Sequence, residues 1–380
     1  MIERSTPCTH VGHGVRVALD WDYHRLAHDA DLTIRKLTAP YPRAGALYVH
    51  LLADPHVLTL WDLTGYMAVE KCGLNDHGQM HAQIVAANAL QFLSLLMAGG
   101  VEPDVAKSGA GSGEDAATVV LAAALLHDVG NLVARDDHQV YSVMLAERVL
   151  ARRLADLSFN PAQAQILNGF ILSAIASHDC TPTPVTLEGA IVAVADAADM
   201  TRGRGQVAFD RGQADIHAVS AMAIREVTIR AGVETPVHIE VVMDNPAGLF
   251  QVEKLLAYKL IHAGLERYVS LQARVVPPSG ESDGAFHCLV LHQGRLHPEG
   301  LARPAAERWP LDPVCGMATA PEHSVGSVHF EGIRYFFCSD ACLARFRADP
   351  SRYTPDMSAQ TDDGEVVGAQ TETRNPAAMD

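Results

Sequence analysis

Apolar residues recur at helical spacing through much of the chain. In DWDYHRLAHDADLTIRKL (20–37) they suit an amphipathic helix, and the following residues continue in short pieces, so 1–75 read as a mixed, partly helical segment. Asn75-Asp76 offers an N-cap for HGQMHAQIVAANALQFLSLLMAGG, whose apolar positions Ile84, Val85, Ala89, Phe92, Leu93 and Leu96 share a helical stripe and which Gly99-Gly100 ends. EPDVAKSGAGSGED reads as a loop, and AATVVLAAALLHDVGN, apolar nearly all round, as a buried helix. HQVYSVMLAERVLARRLA, PAQAQILNGFILSAIASH and LEGAIVAVADAADM predict three more helices, the last leading into a loop, TRGRG. Residues 76–205 therefore read as an all-α domain.

The period then changes. AIREVTIRA and VHIEVVM alternate like strands, GLFQVEKLLAYKLIHAG is an amphipathic helix closed by Gly264, and YVSLQARVV is a further strand. Residues 206–276 thus form a small α+β unit in the order strand, strand, helix, strand. Residues 277–306 read as a linker containing PPSGESDG, with FHCLVLHQGRL a candidate strand or hairpin. A cysteine-containing module occupies 307–355, and 356–380, almost without large apolar residues, is expected to be disordered. The fold class expected is mainly α.

Composition narrows the function. Forty-five acidic against 29 basic residues give a formal charge of -16, which disfavours a nucleic acid polymer as partner but not a small phosphate near a metal. Seven cysteines in 380 residues are too few and odd in number for a disulfide scaffold, which points to a reducing compartment. No apolar run reaches the ~18 residues of a membrane span and MIERSTPCTHVGHG has no signal-peptide core, so a cytoplasmic protein without a membrane partner is expected. An oligomer stays open.

The 19 histidines carry the chemistry. His127-Asp128 follows LAAALL directly, and burying that pair is costly unless a cation or a solvated helix end compensates it. His81 lies on the preceding helix and Asp196 inside IVAVADAADM, so the order is His, His-Asp, Asp on separate helices. This set, with the phrases HAQIVA, LLHDVGN and VADAADM, resembles the HD-domain superfamily of metal-dependent phosphohydrolases. The resemblance implies His81, His127, Asp128 and Asp196 as ligands, with His127 and Asp128 at the catalytic centre. Binuclear relatives often carry further histidines, which makes His138 and His178 candidates for a second ion. A mixed imidazole and carboxylate set favours Fe or Mn, as one or two divalent ions. His77, one turn before His81, is a ligand, an outer hydrogen bonder or a packing residue, and Asp199 reads as a local helix-end group. Arg135, Arg202 and Arg204 are candidates for phosphate binding; Asn131 and Lys71 cannot be ranked. The GYP triplet of the branch that cleaves cyclic dinucleotides is absent.

Cys315, Cys338 and Cys342 lie within 28 residues, a spacing that suits Zn or Cu. DPVCGM and FCSDACLARF resemble the YHS domain, a module taken to bind metal. His323, His329, Asp340 or a water are open as fourth ligand. The function expected is a metal-dependent phosphohydrolase acting on a small phosphorylated substrate, nucleotides included. The alternatives are a di-iron oxygenase of the same fold, a metal or nucleotide sensor without turnover, and metal trafficking through the cysteine module.

Overall fold

Helix α1 (Trp21–Thr38) begins where the Asp20 side chain accepts the Asp22 amide, and it follows a short antiparallel pair, β1 (Cys8–Val11) and β2 (Arg16–Leu19). In this computed structural model the described residues are 8–11, 15–210, 216–277, 287–292, 294–299, 310–317, 319, 321, 324–330 and 333–353. They fall into two units, Met1–Leu301 and Ala302–Asp380. The 356–380 tail of the sequence reading and most of PPSGESDG lie outside the described residues.

The first unit is mainly helical. After α1 come α2 (Pro42–Leu52), α3 (Pro55–Gly65), α4 (Gln79–Ala98), a short α5 (Asp104–Lys107) inside the expected loop, and α6 (Gly113–Leu126). Ser112 and Asp115 close a capping box at the start of α6, which ends in His127. Then follow α7 (His138–Arg153), α8 (Pro161–Ala176), α9 (Leu187–Ala198), α10 (Arg202–Asp210) and α11 (Ile216–Ala223). The helix α10 replaces the loop expected at TRGRG. The Asp76 side chain accepts the amides of Gly78 and His81, so it satisfies the start of α4 although Gly78 occupies the cap position.

The strand, strand, helix, strand order holds. Strand β3 (Ile224–Ala231) pairs antiparallel with β4 (Val237–Met243), and β4 pairs parallel with β5 (Val269–Val275). The crossover is a helical run: α12 (Gly248–Gln251), a π-helical turn (Val252–Ala257) and α13 (Tyr258–His262). Part of the expected linker belongs to this sheet: β6 (Cys288–His292) and β7 (Arg295–Pro298) form a hairpin that completes the order β3-β4-β5-β6-β7. Edge pairing with β5 makes these residues structural, not a spacer.

One core runs through segments that the sequence reading separated at 75 and 205. Ile34, Leu47 and Trp61 belong to the same buried cluster as Leu93, Leu121, Ile191, Val241 and Leu271. The Gln91 side chain donates to the Ile229 carbonyl and so ties α4 to the sheet. Two stretches, Gln79–Ala98 and Gly113–Leu132, are long and apolar enough by composition to cross a membrane, contrary to the sequence reading. They are 67% and 94% buried within the fold, as core helices are.

In the second unit β8 (Gly326–Phe330) pairs with β9 (Ile333–Phe337), and α14 (Asp340–Ala348) is capped by Ser339. Phe337, Leu343 and Phe346 form its small core.

The turn after His127-Asp128 depends on Gly130. A Cβ there would collide with the His138 carbonyl and the Ser142 amide, while the Gly130 amide donates to Ser142 Oγ. Gly130→Ala should therefore destabilise the protein by about 1–3 kcal/mol, as overpacking does, read as a lower denaturant midpoint in chemical unfolding.

Candidate metal centre

Four imidazoles meet between the ends of α4, α6, α7 and α8, and each is aimed by its own Nδ1. His127 Nδ1 lies 2.8 Å from the Ala124 carbonyl, His178 Nδ1 2.7 Å from Ile175 and His138 Nδ1 3.1 Å from Arg135. A carbonyl oxygen only accepts, so each Nδ1 carries the hydrogen. His81 Nδ1 donates to Asp199 Oδ2 at 2.7 Å, and the same oxygen accepts the Tyr23 hydroxyl. All four Nε2 atoms are left to face one another, the outer hydrogen bonding that orients metal-binding histidines.

Asp128 divides them into two groups. Its Oδ2 is 3.2 Å from His81 Nε2 and 3.3 Å from His127 Nε2, and Asp196 Oδ1 joins at 3.1 and 3.6 Å from the same nitrogens. Its Oδ1 is 3.2 Å from His138 Nε2 and 3.6 Å from His178 Nε2, which are 3.0 Å apart. Donor atoms around a cation with bonds near 2.1 Å stand about 3.0–3.4 Å apart, so both groups have the spacing such an ion needs. His81, His127, Asp128 and Asp196 can hold one ion, and Asp128, His138 and His178 a second. Asn131 Nδ2 donates to Asp128 Oδ1 at 2.9 Å and fixes the shared carboxylate.

The cluster opens into a cavity of about 380 Å³. Arg135 and Arg204 line it. Arg135 donates to Asn131 Oδ1, and Arg204 to the carbonyls of Asp76 and Asp199, with its Nη2 3.2 Å from His81 Nε2. Arg202 does not line it and pairs instead with Asp244 at 2.9 Å. The reason is α10: residues two apart on a helix point to nearly opposite faces, so only one of Arg202 and Arg204 can reach the site. His77 belongs to neither donor group; it sits at the rim with Nδ1 donating to Asn75 and Nε2 3.5 Å from Arg135. Burial pushes His77 down to about 3, so it stays neutral.

Three residues that the sequence reading passed over complete the centre. Asp179 Oδ2 is 3.4 Å from His138 Nε2. Lys259, from α13, places Nζ 2.6 Å from Asp196 Oδ2 and 3.0 Å from Asp179 Oδ1. Tyr23 comes from the N-terminal segment, and Asp199, which does end helix α9 as its C-cap, also holds His81. Lys259 shares an apolar stripe with Val252 and Leu256, at a spacing that would have flagged a lysine on a buried face.

Electrostatics favour positive charge at this place. Burial opposes protonation of His81 and His127, yet the carboxylates of Asp128 and Asp196 raise both above the ordinary imidazole range. Asp196 is held well below the carboxylate range against the opposing effect of burial, chiefly by Lys259, and Asp128 likewise, chiefly by His127.

In the second unit the sulfurs of Cys315 and Cys338 are 3.4 Å apart, and Cys342 and Asp312 complete a group of four donors. Asp312, fully buried, takes the fourth position that the sequence reading left among His329, Asp340, His323 and water. His329 and Asp340 are exposed and outside the group, and His323 lies outside the described residues. Asp312 also accepts the amides of Val314 and Cys338, which fix its carboxylate. Hydrogen bonding to Asp312 lifts the Cys338 thiol to about 12, and burial raises Cys315.

The HD domain matches residues 90–201 and the YHS domain residues 311–356. His81 precedes the first match, and Tyr23 and Lys259 flank it on either side. The chain is 39% identical to an uncharacterized protein of Methanocaldococcus jannaschii over 229 residues, which cover 60% of this chain and 88% of that protein. No solved structure matches.

Two outcomes follow from the donor chemistry. Below about pH 6.5 the imidazoles of His81 and His127 are charged in the folded and unfolded states alike, and above it the cation-free fold alone keeps them protonated, an advantage lost as pH rises through their raised values. A divalent ion must displace those protons, so calorimetry of Mn²⁺ binding in two buffers of different ionisation enthalpy should show proton release, and affinity should climb from pH 6 to 8. In the cysteine module, Cys338→Ser should weaken Zn²⁺ retention by more than ~10-fold in chelator competition.

Proposed function

The chain belongs to the HD-domain superfamily and carries a YHS domain, and from that premise we propose that it is a metal-dependent phosphohydrolase that cleaves a small phosphate ester. The observation that carries this reading is Asp128, whose two oxygens serve two separate histidine pairs. His81, His127, Asp128 and Asp196 are read as ligands of one ion, and Asp128, His138 and His178 as ligands of a second. The imidazole and carboxylate mixture suits Fe or Mn. When bound, such ions polarise a phosphoryl oxygen and lower the pKa of a coordinated water.

The chain's own residues do the rest. The four Nδ1 hydrogen bonds hold the imidazoles in one tautomer, so no reorientation is needed when substrate enters. Asn131 keeps Asp128 between the pairs. Arg135 presents its guanidinium at the cavity wall for a bidentate contact with phosphate, and His77 and Asn131 steady it. Arg204 places charge beside His81, with two of its nitrogens committed to carbonyls. Leu74, Ala218, Ala221 and Leu255 give an apolar wall for the remainder of the substrate, and the volume suits a small molecule such as a nucleotide. The chain's charge of -16 argues against polymeric nucleic acid or anionic membrane as partner. The free cysteines fit a reducing, cytoplasmic setting. The cysteine module is read as a Zn or Cu site that senses or delivers metal.

The second histidine pair equally suits a di-iron oxygenase, and the measurements that separate the readings are phosphate release and oxygen consumption by iron-loaded and manganese-loaded protein. For the phosphohydrolase, a panel of phosphomonoesters and nucleotides should release phosphate without oxygen uptake. His127→Ala should lose metal by elemental analysis and at least ~100-fold of the activity, the scale of a removed metal ligand and its outer shell. Full activity in that folded variant would overturn the assignment.

A further inference from the structure

Among the described residues, Lys259 is the one cation that bonds both Asp196, in the first donor group, and Asp179, which faces His138 of the second. We propose that it is a phosphoryl-binding residue, set between the two groups by the crossover helix of the sheet. The proposal rests on the phosphohydrolase reading and deepens it.

The geometry is specific. Nζ bonds Asp196 Oδ2 and Asp179 Oδ1, while Asp196 Oδ1 faces His81 and His127 and Asp179 Oδ2 faces His138. An ammonium has three N–H donors. Two go to these carboxylates, and the third has no protein acceptor among the described residues, although Lys259 lines the cavity. The π-helical turn Val252–Ala257 immediately precedes it, a feature that often marks functional sites in helices.

The charge balance says what the third donor is for. Once a metal has displaced the protons of the imidazoles, Asp128, Asp179 and Asp196 bring three negative charges to the centre, and Lys259 leaves two. One divalent ion neutralises that balance, and a second makes the centre cationic, ready for an anion. Lys259 also occupies Asp196 Oδ2, which leaves only Oδ1 for a metal. Its removal should therefore act in opposite directions: the more negative, freer carboxylates hold a cation more tightly, and the centre holds phosphate more weakly. A lysine that merely supported the fold would weaken both.

The test uses the full chain, Mn²⁺ and inorganic phosphate. Lys259→Met keeps the length of the side chain without charge, Lys259→Gln keeps an amide donor without charge, and Lys259→Arg keeps the charge. Calorimetry should show phosphate binding to Mn²⁺-loaded Lys259→Met and Lys259→Gln weakened by about 10-fold or more, the scale of a charge-assisted hydrogen bond. Mn²⁺ binding should be tighter in both, and Lys259→Arg should bind phosphate within about 3-fold of wild type, its charge being retained. Should Lys259→Met fail to fold by circular dichroism, Lys259→Gln decides. Unchanged phosphate affinity in a metal-loaded neutral variant, or parallel loss of Mn²⁺ and phosphate, overturns the role of Lys259 alone. Absence of phosphate binding by wild type overturns it together with the phosphohydrolase reading.

Discussion

The structure turns on one buried carboxylate. Asp128 sits between two imidazole pairs, and a carboxylate there would be expensive without positive charge around it. The protein supplies part of that charge through raised proton affinity at His81 and His127 and through Lys259. What remains is a demand that a divalent cation meets and a proton meets less well. Three further features keep that carboxylate in place: Asn131 on its Oδ1, Gly130 admitting α7 against the turn, and Trp61 donating to the Leu125 carbonyl one turn earlier.

This requirement explains the shape of the first unit. A cluster with so many donors at the ends of four helices needs those ends to be rigid, and rigidity comes from packing outside the bundle itself. Helix α1 sends Tyr23 under Asp199, which in turn orients His81. The sheet sends Lys259 over Asp196. The continuous core from Ile34 to Val275 is thus the framework of the centre, not a set of neighbouring domains.

The helices and strands were legible because burial imposes period: α4, α6 and α9 were visible from apolar spacing, and β3 to β5 from alternation. His81, His127, Asp128 and Asp196 were legible because polar groups inside apolar runs demand an explanation. The contributions of Tyr23, Asp179 and Lys259 were not. Each depends on contacts between positions 41 to 176 residues apart, or on which face of a helix end points inward, and neither leaves a local pattern. Arg202 failed for the converse reason, since TRGRG looked like a loop in which both arginines could turn to the site. Asp312 was not legible because nothing local in DPVCGM marks its carboxylate as buried, although a buried carboxylate accepting two amides is well placed beside thiols.

The span of the HD match gives the last step. Residues 90–201 include His127, Asp128, His138, His178, Asp196 and Asp199 but not His81, nor Tyr23, which donates to Asp199 behind it, nor Lys259, which neutralises Asp196. Within those bounds the first donor group lacks a nitrogen and Asp196 lacks its ammonium partner. Metal affinity in this chain is therefore a property of the assembled first unit: the same contacts that bury Tyr23 and Lys259 create the site. Because the ligands come from distant segments of the unit, the free energy of binding a metal there adds to the free energy of folding.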